Sequence, residues 1–434
     1  MNRLALMIGG ALAALTSPLA AQTIAITNAT VATGTGADAM TGATVVVRDG
    51  RIAAVGRGVA VPAGAEVVDG TGKWVTPGIV GGFTRLGIVE VDAVEETEDS
   101  EAANSPYSAA IDVAPAVNPR SVNIPINRIE GVTRAVVVPT VGKEVFAGQG
   151  AIIHLGEADD VVTKARAFQF VELGERGAGV AGGSRAAAFA ELRDGLREAR
   201  SIAAGKGDFG PASRDAVLNR ADAEALVPVV QGRQPLLIHV ERASDILRVL
   251  DLKREMPALK MILAGAGEGW TVADRIAAAG VPVIAYALNN LPGDFETTAA
   301  TQSNVGRLVK AGVKVGLGMQ NDNDARQIRL LTQHAGNLVA LTKVPGATGL
   351  TQAQALASIT SANAEIFGLT DVGSLAPGKR ADVVVWDGDP LELQSAPTMV
   401  LIDGKPQSMV SRQTKLRDRY NPTRKHNLPE AYSR

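Results

Sequence analysis

Cysteine is absent from all 434 residues, which excludes disulfides, a thiol nucleophile, cysteine-held zinc and a lipid-modified N-terminal cysteine. Aromatic residues make up only 3% of the chain, so no basic, aromatic-rich face exists on which single-stranded nucleic acid would stack. An excess of either charge is lacking too. The 43 Lys and Arg against 45 Asp and Glu leave a formal net charge of -2, with no whole-chain pull toward nucleic acid or anionic lipid. There is no G-x-S-x-G elbow, Walker loop or H-E-x-x-H stretch, and with them go the sequence signals of three common catalytic designs.

What is present is a 46% hydrophobic composition with 47 glycines. Such a chain buries a large core through many tight turns and short strands, and its length predicts more than one domain or one barrel with additions. Residues 1–21 have the three parts of a secretory signal: Arg3, an apolar run over residues 4–15, and small residues ending at Ala20 and Ala21. The apolar run is too short to span a bilayer comfortably. The expectation is cleavage near Ala21 and an exported, periplasmic protein with no membrane anchor.

β-type runs follow at residues 23–31 and 43–47, the second leading through Asp49-Gly50 into residues 51–55. Asp-Gly between apolar runs predicts a hairpin, because both central residues of the favoured turn need positive φ. The same device recurs at the other end, where residues 399–402 run into Asp403-Gly404, after a β-rich run at residues 381–386. Two β-rich ends around a different middle predict a small β-sandwich assembled from both termini. From Pro235 onward short apolar strands alternate with helical stretches: strands at residues 236–240, 261–263, 281–285 and 313–317, with helices through residues 246–252, 272–279 and 305–311 and beyond Asp324. That alternation predicts parallel strands in a closed α/β barrel. Thr351 and Gln354 form a capping box that marks a helix start. Between residues 86 and 232 the pattern is too weak to place strands.

The stretch of residues 73–85 reads KWVTPGIVGGFTR, and residues 373–386 read GSLAPGKRADVVVW. Both resemble the amidohydrolase superfamily, the first being similar to its opening barrel strand and the second to its return from barrel to sandwich. Residues 235–284 resemble the imidazolonepropionase-like branch. The resemblance implies a TIM-like (β/α)8 barrel with a flanking β-sandwich, divided into residues 22–76 (sandwich), 77–372 (barrel), 373–412 (sandwich) and 413–434 (a basic tail).

The resemblance also implies where a catalytic metal would be held. Thr76, Pro77, Gly78, Ile79 and Val80 match the approach, after which Gly81 replaces the expected Asp. Phe83 and Arg85 replace the two histidines of the first strand, Gly265 the histidine of strand six, and Gln320 the Asp after strand eight. His239, on strand five, is the one ligand-type residue at these positions. A phenyl ring has no lone pair to give and a guanidinium is donor-only. A catalytic zinc needs three protein ligands plus water, so the expectation is a degenerate metal centre with no cofactor. The protein would then bind a small molecule or peptide in the barrel mouth, or serve as a non-catalytic subunit beside an active paralogue or in a homo-oligomer. Arg85, His239, Glu241 and Glu268 are the candidate ligand contacts. The alternative is an active hydrolase of amides, lactams or dipeptides, with zinc or another divalent ion in a site rebuilt around His239 and Asp322 or Asp324. His154, His334 and His426 lie away from these positions and read as surface or packed residues. The acidic run at residues 90–101 reads as a solvated loop, and so does the G-x-G-x-x-G match at residues 205–210, which lacks a strand before it and has Pro211 after it.

Overall fold

The computed structural model describes residues 23–91, 94–206, 217–320 and 325–421. The signal-like segment, Asp322 and Asp324, His426, most of the 205–210 loop and the end of the basic tail lie outside these residues. No described helix is long and apolar enough to cross a membrane.

Both chain ends build one eight-stranded sheet. Thr23–Val31 pairs with Met40–Arg48 on one side, and Trp74–Pro77 pairs antiparallel with Val383–Trp386. Ile24, Ile26, Val45, Val47, Val383 and Leu401 bury a core of its own. Both predicted hairpin tips adopt the left-handed backbone that their turn demands: φ is 52° and 74° at Asp49 and Gly50, and 51° and 74° at Asp403 and Gly404. The two tips cross. A Cβ on Gly404 would lie 2.7 Å from the Gly50 Cα, so glycine is required for the approach as well as for the turn. Ala381 joins them, its N–H donating to the Gly50 carbonyl and its carbonyl accepting from the Gly404 N–H.

The middle of the chain forms a second eight-stranded sheet curled into a barrel. Its strands are Ile79–Thr84, Val132–Val137, Phe146–His154, Val162–Glu172, Leu236–Val240, Met261–Gly265, Val283–Ala285 and Val315–Leu317. Strand three departs from the all-parallel expectation: Phe146–His154 runs antiparallel to both neighbours. Residues 138–145 and 155–161 connect it, and links that short hold no crossover helix, so the chain must reverse. Strands one and eight are brought together by the Met319 N–H, which donates to the Phe83 carbonyl at 3.1 Å. The buried Asn363 side-chain amide donates to Val80 and Leu317 carbonyls at 2.6 and 2.8 Å.

Side-chain alternation along the strands decides which residues look into the barrel. Leu236, Ile238 and Val240 join the core shared with the surrounding helices. Leu237 joins Phe83, Phe168, Phe170, Ile262 and Ile284 in a separate cluster inside the barrel. His239, two residues on from Leu237, therefore points inward at the mouth, and so does Glu172, two on from Phe170. Helix Gln352–Ser358 starts at the predicted capping box.

Barrel and sheet are fastened near the start of strand two. Arg134 bonds Asp382 at 2.7 Å and Asp403 at 2.8 Å, with the Arg134 and Asp382 side chains only 4% and 2% exposed. Arg380 bonds Asp403 and Asp371 at 2.9 and 2.7 Å.

Candidate functional site

A cavity of about 260 Å³ opens at the C-terminal ends of the barrel strands. Phe83, Arg85, Glu172, His239 and Gln320 line it, joined by Arg176 and Glu296. The barrel thus gathers Arg85, His239, Phe83 and Gln320 in one place. Glu172, Arg176 and Glu296 were not predicted.

His239 is the centre of the arrangement. Its Nδ1 lies 2.5 Å from Glu172 Oε1 and its Nε2 lies 3.0 Å from Glu241 Oε1. Strand register explains the first contact, since Glu172 pairs with His239 across the parallel strands. Burial works against the imidazolium, yet the Glu172 charge and hydrogen bond, followed by those of Glu241, hold the His239 pKa well above its usual range. Both ring nitrogens then act as donors.

Glu241 has a second role at the position of Gly265. Gly265 has φ of 82°, and a Cβ there would meet Glu241 Oε1 at 2.2 Å. The other oxygen, Oε2, accepts from the Gly267 N–H at 2.6 Å. The space a strand-six side chain would enter is therefore filled by the Glu241 carboxylate. Phe83 packs in the same manner: a Cβ on Gly318 would lie 2.6 Å from the Phe83 Cβ, and the Phe83 and Phe170 rings meet edge to face at 5.8 Å. Gln320 is tethered through its Nε2, which donates to the Ile284 carbonyl at 2.8 Å.

Among the described residues no group of three or more His, Cys, Asp or Glu side chains converges as a metal site. A metal-bound imidazole must offer a ring lone pair, whereas both nitrogens of His239 face carboxylates at hydrogen-bonding distance.

Glu268 stands apart from the cavity wall. Its Oε1 accepts from Thr298 Oγ1 and the Ala299 N–H, and its Oε2 from the Ala243 N–H. It ties a mouth loop to the start of helix Ala243–Glu255 instead of facing a ligand. Glu296 lies on the wall, where burial, opposed by the Glu175 N–H, raises its pKa. Its Oε2 accepts from the Glu175 N–H at 2.7 Å and from Arg185 at 3.1 Å. Gly174 makes room for it, since a Cβ there would sit 2.3 Å from that oxygen. Neither His154 nor His334 lines the cavity. His154 Nδ1 accepts from the Gly156 N–H, and the buried His334 meets the Tyr286 ring edge to face at 5.5 Å. The signal that could have identified Glu172 is a lone carboxylate ending an apolar strand, FQFVE, just before Gly174.

Residues 256–412 match the amidohydrolase family. Amidohydrolase tasK of Hapsidospora irregularis is 25% identical over 377 residues, covering 79% of this chain and 37% of that protein. Imidazolonepropionase of Ruegeria pomeroyi is 31% identical over 194 residues, covering 41% and 47%. The chain thus spans less than half the length of these curated relatives. The crystal structure of an amidohydrolase from Thermotoga maritima superposes with a TM-score of 0.76 at 25% identity, covering 88% of this chain and 99% of that one.

Proposed function

We propose that this chain, placed with the amidohydrolase superfamily by its match over residues 256–412 and its barrel fold, is an exported binding protein which takes a small molecule or peptide in its barrel mouth and does not run the metal-hydroxide reaction. The observation that carries this reading is the engagement of His239 by Glu172 and Glu241. A metal-activated water needs an ion that lowers its pKa from 15.7 to about 7, and such an ion needs three protein ligands. Here the remaining imidazole is given to carboxylates, the strand-six space to Glu241, and the first-strand positions to a phenyl ring and a guanidinium. Export is supported by the signal-like residues 1–21, and the absence of a lipid-accepting cysteine points to a periplasmic protein.

The test is hydrolysis of a panel of amides, lactams and dipeptides by the mature protein and by His239→Ala, with and without added zinc or manganese. The expected result is no turnover above the variant under either condition. Turnover that disappears in His239→Ala would establish the alternative, a hydrolase rebuilt around His239 with Asp322 or Asp324. Purification from the native cell tests whether the protein works as a non-catalytic subunit. A larger assembly containing a barrel with its His-x-His intact supports that role, and a lone monomer leaves ligand binding alone.

A further inference from the structure

The two carboxylates on the cavity wall are answered by neighbouring groups. Glu172 is engaged with His239, and Glu296 takes the Glu175 N–H and Arg185, a residue off the wall. The wall also carries two guanidinium groups. Arg85 is only 7% exposed at the end of strand one, where its charge is weakly screened by water. Arg176 lies 3.6 Å from Glu101, and with side chains 43% and 39% exposed that pair is loose and solvated. Both line the same cavity. The edge-to-face pair of Phe83 and Phe170, together with Val141, gives this cavity an apolar surface as well.

Resting on the metal-free reading of the mouth, we infer that the cavity is a carboxylate site, in which Arg85 and Arg176 take the anionic end of a small organic acid and the Phe83–Phe170 pair takes its apolar body. Guanidinium suits this task because it stays charged and presents donors in a planar fork matching the two oxygens of a carboxylate. The cation that replaces a histidine at position 85 thereby acquires a purpose.

The probe is benzoate, compared with benzamide, which has nearly the same shape and no charge. Calorimetric titration of the mature protein is expected to give benzoate at least about tenfold tighter binding than benzamide, one decade of dissociation constant. Arg176→Gln, at a half-exposed position, should weaken benzoate about tenfold and leave benzamide unchanged. Arg85→Gln should weaken benzoate at least as much, while Arg85→Lys, which keeps the charge, should retain part of the affinity. Circular dichroism of each variant confirms that it has folded. Equal affinity for benzoate and benzamide, no saturable benzoate binding, or wild-type affinity in both glutamine variants would overturn the inference. So would loss of benzoate binding on adding a chelator, which would place the anion on a metal. The two readings fail separately. Stoichiometric metal removed by His239→Ala overturns the metal-free reading, whereas charge-blind binding by a metal-free protein overturns only the carboxylate site.

Discussion

Arg134 near the foot of the barrel and His239 at its mouth are both cations withdrawn from water between two carboxylates, yet they do different work. Arg134 meets Asp382 and Asp403 from the other domain, so its charge is spent on joining barrel to sheet. His239 meets Glu172 and Glu241 from its own barrel and still borders a cavity. The charge of Arg134 fastens two sheets, while that of His239, held within the barrel, forms part of a cavity wall. The difference lies in whether one side of the group is left open.

The largest expected effect comes from breaking the fastening. Arg134→Leu leaves Asp382 buried without its partner, and urea unfolding should show a loss of about 3–5 kcal/mol. Benzoate affinity of the protein that remains folded should be unchanged, because the clasp does not touch the mouth. A variant of near wild-type stability would show that the two regions are not distinguished in this way.

The next largest concerns the mouth. Gly265→His forces a side chain into a positive-φ position against Glu241, which should cost about 1–3 kcal/mol in the same assay. Adding Glu241→Ala should recover part of that loss by clearing the space. If Gly265→His alone were neutral, the close approach of Glu241 would not be what keeps glycine there.

A smaller effect is set by pH. Burial alone would raise Asp403, but the Arg134 charge and the Arg380 hydrogen bond overcome it and hold its pKa below the usual carboxylate range. Burial also opposes ionisation of Asp371, and Arg380 again outweighs it. Groups with depressed pKa values contribute stability that is fully present above their unfolded values, about 3.9 for Asp, and lost as pH falls through the folded ones. Melting temperature should therefore decline on the acid side below roughly pH 4, and Arg380→Gln should make that decline shallower. Both carboxylates are partly exposed, so added salt should blunt the effect. The smallest change is expected at the exposed Arg120–Asp159 pair, 3.9 Å apart. Arg120→Ala should leave the melting temperature where it was, and a measurable drop would mean that exposed charge pairs also fasten this protein.

Much of the fold was legible because its signals are local. Asp49-Gly50 and Asp403-Gly404 carry their turn conformation in two residues, and strands five to eight announce themselves by alternating with helices. The antiparallel strand Phe146–His154 was not legible, since its direction follows from the length of its connections and from which neighbours it meets. At the site, His239, Phe83, Arg85 and Gln320 could be placed through a motif. Glu172 could not, because its contact with His239 joins residues 67 positions apart through strand register alone. Glu268 has the right chemistry and lies close to the site in sequence, but its oxygens turn toward loop and helix N–H groups that no pattern of residue types reveals. The Asp382 and Asp403 clasp was hidden because Arg134 meets them across 248 and 269 positions of sequence.

The central claim is that the imidazole of His239 is committed to carboxylates and not to a metal ion. Elemental mass spectrometry of the mature protein, expressed in medium containing zinc, manganese and iron and dialysed without chelator, tests it most directly. The account predicts far less than one metal per chain, with no difference between the wild type and His239→Ala. One bound metal per chain in the wild type, lost in His239→Ala, would contradict it.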